Sequence, residues 1–154
     1  MNDVLVAGLG NPLMGDEGIG PRVVELLEQR AGEAVHADFL DLGTPGLALL
    51  HAISGRRRVL LVDCAMMGAP PGTLRRFTPQ DVRTATDGRP GSPHEPDVLA
   101  VLRLARELGD CPSEVVIFGI QPERVQAGIG LSEVLEARLD EYVAAVAAEL
   151  AGTA

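Results

Sequence analysis

The chain has 154 residues, 46% hydrophobic and 23% charged, a mixture ordinary for one domain that buries roughly 70% of its unfolded surface. Its formal net charge of −9 excludes the clustered Lys and Arg on which a nucleic-acid partner depends. Two cysteines make no disulfide framework, no apolar run approaches the ~18 residues of a membrane span, and Asn2 and Asp3 stand where a signal peptide would be basic, so the expectation is a cytoplasmic protein with no membrane partner.

In chain order, the apolar run Asp3 to Leu9 predicts a buried strand. A glycine-punctuated loop, Gly8 to Gly20, follows, and Pro21 opens an amphipathic helix to Gln29, with Val23, Val24, Leu26 and Leu27 inward. This loop carries an adjacent acid pair, Asp16 and Glu17. Carboxylates held by a tight turn beside a helix start would repel a phosphate and suit metal binding or acid–base work. A weaker strand, Val35 to Leu42, leads to Thr44 and Pro45, which read as N-cap and first residue of a short helix ending at Ile53. Arg56, Arg57 and Arg58 read as a solvated turn. The next buried strand, Val59 to Ala65, carries Asp63 at its end.

A turn-rich link, Met66 to Pro71, precedes a short edge strand, Gly72 to Thr78, with two arginines. Thr78 to Pro96 is the longest irregular stretch and holds His94 between two prolines. A helix over Asp97 to Leu108 and a strand over Glu114 to Ile120 come next. Gly128 and Gly130 punctuate a second loop, and Ser132 reads as the cap of one long final helix to about Leu150. Alternating buried strands and helices predict an α/β fold: a single-domain three-layer sandwich over residues 1–154, with a twisted, mostly parallel sheet of about five strands and helices on both faces.

In such sheets ligands sit at the carboxyl ends of the strands. Glu17, Asp41 and Asp63 fall there, and His94 lies in a loop long enough to reach the same edge. An imidazole with two carboxylates is a donor set for a divalent transition metal. Plainer roles exist for each residue. Asp16 or Glu17 also suits a helix cap, Asp63 a turn cap, and His94 a loop position. Cys64 reads as a small core residue, Met66 and Met67 as filler, and His36 and His51 as surface or half-buried.

Two partial motifs fail. Gly8-x-Gly10 opens a dinucleotide fingerprint, but Leu13 replaces the third glycine and the acid pair would face the pyrophosphate. Gly8-Leu9-Gly10-Asn11-Pro12 also resembles the opening of peptidyl-tRNA hydrolases, yet Met14 to Gln29 lacks that family's histidine and the charge suits tRNA poorly.

The stretch GLGNPLMGDEGIGPRVVELL resembles far more strongly the N-terminal signature of the hydrogenase maturation endopeptidases. The resemblance continues in order through Asp41 to Gly46, Leu61-Val62-Asp63, Ser92-Pro93-His94, Val116 to Pro122 and Gly130-Leu131-Ser132. Leu42 departs from it, since many members carry a second glycine there, and so do Glu95-Pro96-Asp97. The resemblance implies a twisted sheet between helices and a hydrolase. That enzyme removes a short C-terminal extension from the nickel-loaded large-subunit precursor of a nickel–iron hydrogenase. It implies that Glu17, Asp63 and His94 contact the nickel, with the precursor as partner. Asp16 then acts as a cap or supports the site from behind, and Asp41 and Thr44 shape loops. The alternatives are a non-catalytic metal- or precursor-binding chaperone of the same fold and, further off, an aminoacyl esterase. No residue pattern sets an oligomeric state.

Overall fold

The computed structural model describes residues 1–81 and 95–152, the side chains of Glu95 and Pro96 excepted. Three runs of aliphatic residues make the centre of one sheet. They are β1 (Val4–Leu9), β3 (Arg58–Cys64) and β5 (Glu114–Ile120), buried on both faces except at Glu114. Such runs lack polar alternation because helices cover both sides. Half-exposed strands flank them: β2 (Asp38–Gly43) and the antiparallel β4 (Leu74–Phe77), whose exposed Arg75 and Arg76 guard that edge. The order is β2-β1-β3-β5-β4, and every pair but the last is parallel. This is the expected α/β sandwich.

Strand alternation splits the core in two. Val6, Leu60, Val62, Cys64, Val116 and Phe118 face α1 (Ile19–Arg30), α4 (Glu133–Ala137) and α5 (Leu139–Ala151). Leu5, Ala7, Val59, Leu61, Val115 and Ile117 face α2 (Leu47–Ile53) and α3 (Glu95–Glu107). Among the described residues no helix is long and apolar enough to cross a membrane.

Local expectations fail where distant partners decide. Helix α1 starts at Ile19 rather than Pro21, because a 3-10 turn (Gly15–Gly18) runs straight into it. Pro21 is then its third residue, still within the turn whose N–H groups lack helical acceptors. Helix α2 is entered through Gly46 in extended conformation, and the exposed Thr44 does not cap it. The final helix is two pieces broken at Arg138.

Arg56, Arg57 and Arg58 do not form a solvated turn. Only Arg57 is exposed. Arg56 pairs with Asp38, whose carboxyl is held down to about 2 by Arg56 and Asn2. Arg58 is 2% exposed and lies between Glu114 (2.8 Å) and Glu149 (3.0 Å). Its Nε–H points off the line to Glu114, so that contact is an ion pair and not a hydrogen bond. Glu149 also takes a two-point contact from Arg76.

Candidate active site

Strands β1 and β3 lie side by side, yet the chain leaves them in opposite directions. From β1 it passes through α1 on one face of the sheet, and from β3 it proceeds by way of β4 to α3 on the other. The carboxyl ends of this pair therefore open a crevice, the topological switch point where α/β sheets bind ligands. Glycine brings the acid turn down onto it. A Cβ on Gly20 would stand 2.3 Å from the Val62 carbonyl oxygen and 2.4 Å from that of Leu9, so only glycine lets the start of α1 rest on both strand ends. Gly10 has φ +125°, and a Cβ there would stand 2.0 Å from the Glu17 carbonyl oxygen. The turn carrying Glu17 is thus folded back against the end of β1.

Glu17 is half-buried on this turn. Asp63 is 4% exposed, one residue beyond the Gly8–Val62 register pair. Strand alternation turns Asp63 toward the face covered by α2 and α3 and turns Cys64 toward α1. Because α3 returns the chain to the start of β5, its first residue, Glu95, stands at the carboxyl end of the sheet on the Asp63 side. The turn carrying Glu17 and the strand end carrying Asp63 thus border the crevice, while Asp41 stands apart from it. It lies on edge strand β2, exposed, and accepts a hydrogen bond from the Gly43 N–H at 3.1 Å. The pairing of β1 with β2 skips Leu42, a bulge residue whose side chain packs with the α2–α3 cluster. That accommodates the departure at Leu42. His94 lies outside the described residues, as does most of the long loop that carries it.

The acid pair divides its work. Asp16 is fully buried and caps no helix. Its carboxylate accepts hydrogen bonds from the N–H groups of Glu123 (2.9 Å), Arg124 (3.0 Å) and Ser132 (2.7 Å) and from the Ser132 hydroxyl (2.8 Å). Burial alone would raise its pKa; the Ser132, Arg124 and Glu123 hydrogen bonds outweigh that and hold it below the ordinary value. Asp16 therefore clamps the loop after β5 to the loop after β1, and Met14 pairs with Gly128 alongside. Ser132 does occupy a helix N-cap position, but its hydroxyl serves Asp16 and not the helix.

Sequence reading gave no role to Gln121. It is buried at the end of β5, and its Oε1 accepts the Met67 N–H at 2.6 Å, which fixes the loop after β3. Its place directly after a buried strand was the one available signal. Cys64 is buried, as expected. Burial first, then the charges of Asp63, Glu17 and Asp16, push its thiol far above the ordinary range. It is no nucleophile at neutral pH. Among the described residues no three His, Cys, Asp or Glu side chains are grouped to hold a metal. Carboxylate oxygens such as those of Glu17 and Asp63 are donors of a kind nickel accepts.

Comparison with known proteins places this geometry. A family model described as hydrogenase maturation protease matches residues 21–149. The hydrogenase expression/formation protein HoxM of Cupriavidus necator is 37% identical over 91% of this chain and 70% of its own length. The hydrogenase 2 maturation protease of Escherichia coli is 33% identical, over 96% of this chain and 90% of its own. The solved structure of the hydrogenase maturating endopeptidase HybD from E. coli superposes with a TM-score of 0.85 at 32% identity, covering 99% of this chain and 94% of that one. With a glycine-seated acid turn, a buried strand-end aspartate and these relatives across nearly its whole length, the chain belongs to the hydrogenase maturation protease family.

Proposed function

We propose that this chain, working as one domain in the cytoplasm, removes a short C-terminal extension from the nickel-loaded large-subunit precursor of a nickel–iron hydrogenase, and that Glu17, Asp63 and His94 face the nickel. The observation that supports this reading is the glycine-seated turn of Glu17, packed on the ends of β1 and β3 beside the strand end that carries the buried Asp63. Nickel arrives with the substrate. Held there, it would serve either as the element by which the precursor is recognised or as a Lewis acid that polarises the scissile carbonyl and acidifies an attacking water. The chain's part is to receive the cation and move a proton. Carboxylate oxygens and an imidazole nitrogen are ligands of the kind nickel accepts. One carboxylate takes the proton as water adds to the carbonyl carbon. The C–N bond then breaks, the proton passes to the departing amine, and the new C-terminal carboxylate and the tail separate. The protonated Cys64 thiol leaves an acyl-cysteine route without a nucleophile.

The test is mass-spectrometric detection of tail release from the nickel-loaded precursor by the parent protein and by Glu17→Gln, Asp63→Asn and His94→Ala. The parent cuts, and each variant slows by roughly 100-fold or more. A parent protein that binds the precursor without cutting it would instead establish a chaperone of the same fold.

A further inference from the structure

Four connections leave the carboxyl ends of the parallel strands, and each presents a large apolar side chain to solvent. Leu13 follows β1 and is 59% exposed; Leu47, after β2, is 81% exposed. Met66 follows β3 at 44%, and Val125 and Ile129 follow β5 at 40% and 86%. Of the ten large apolar side chains exposed among the described residues, four stand in these connections' loops and a fifth, Leu47, opens α2. Scattered apolar residues need no explanation, but a concentration around a site does.

The part of this collar on the β1 and β5 loops is built and rigid. Gly128 N–H donates to the Leu13 carbonyl at 2.9 Å and Gly15 N–H to the Gly128 carbonyl at 2.9 Å, and Asp16 locks Glu123, Arg124 and Ser132 alongside. Leu13, Val125 and Ile129 are thus held in water by an interlocked pair of loops, and binding them costs little further ordering. The acids Glu17 and Asp63 belong to the same carboxyl edge of the sheet, on the turn after β1 and at the end of β3. Charge complementarity then specifies the occupant: a surface that brings both a cation and apolar side chains to this edge.

Resting on the function proposed above, we infer that these loops form a docking collar for the folded body of the metal-loaded precursor. The apolar surface surrounding its metal seats on Leu13, Leu47, Met66, Val125 and Ile129. Specificity for the folded precursor then resides in the collar, and the acids of the same edge read the cation.

The experiment is steady-state cleavage of the full-length nickel-loaded precursor by the parent protein, a Leu13→Ser/Ile129→Ser double variant and a Leu108→Ser control. Leu108 is 65% exposed past the end of α3, at the opposite edge of the sheet. Both collar side chains are exposed, so the double variant keeps the parent's fold and thermal midpoint. Its KM rises about tenfold or more at unchanged kcat, the scale of two buried aliphatic side chains, and the control leaves KM alone. An unchanged KM, a fall confined to kcat, or an equal rise in the control overturns the collar while leaving the endopeptidase standing. A parent protein that cuts no nickel-loaded precursor overturns the endopeptidase reading and the collar with it.

Discussion

The two edges of the sheet hold buried charge in different ways. At the amino edge, acid meets base: Arg56 with Asp38, and Arg58 with Glu114 and Glu149, the latter shared with Arg76. At the carboxyl edge, Asp16 meets dipoles, three backbone N–H groups and a hydroxyl. An ion pair cancels its own far field. A carboxylate held by dipoles keeps its negative charge, and that charge reaches neighbours. The Cys64 thiol registers this, held protonated first by burial and then by Asp63, Glu17 and Asp16. Among the described residues, one edge thus pairs its buried charges and the other holds the Asp16 carboxylate on dipoles alone.

Breaking the paired edge carries the largest expected effect. Arg58→Ala removes the buried guanidinium between Glu114 and Glu149, leaves Glu149 to Arg76, and costs about 3 kcal/mol, read as a lower urea midpoint. Tail removal per folded molecule stays at the parent's rate, since the catalytic edge is untouched; a loss of rate would mean that the edges are not independent.

The Asp16 clamp gives the next effect in size. Asp16→Ala strands four donors, two of them within the Ser132 cap, and costs about 1–3 kcal/mol. Unlike Arg58→Ala it also slows cleavage in the folded fraction, because the Glu17 turn loses its anchor. Normal cleavage at reduced stability would make Asp16 an ordinary structural residue.

The smallest effect sharpens the contrast by pH. Asp38 titrates near 2 when folded against 3.8 ordinarily, so on acidification the unfolded chain takes up the proton first. Its contribution is complete above pH 3.8, fades as pH falls toward 2, and vanishes in Asp38→Asn. Because Asp38 is partly exposed the difference is only a few tenths of a kcal/mol, visible as a flatter acid limb in urea midpoints of the variant.

Much of this was legible in the residues. Val4 to Leu9, Val59 to Cys64 and Glu114 to Ile120 announce a parallel sheet, because only strands covered on both faces tolerate such apolar runs. The glycine-punctuated turn with its acid pair, between β1 and α1, was legible as well. What escaped was set by partners far away in the chain. An Arg triplet looks solvated until Glu149, 91 residues on, closes over Arg58. Ser132 looks like a helix cap until Asp16, 116 residues earlier, claims its hydroxyl. Local propensity sees neither. Nor did it find the break at Arg138, where Glu141 draws the guanidinium across the junction between helices.

The clamp also sets an order of events during synthesis. Asp16 emerges early, but each donor that satisfies it lies between Glu123 and Ser132. Until that segment leaves the ribosome the acid turn has no fixed partner, and β3 has no β5 beside it. Closing a contact over more than a hundred residues is slow relative to local helix formation. A nascent chain therefore carries its acid turn unanchored until the segment from Glu123 to Ser132 has been made.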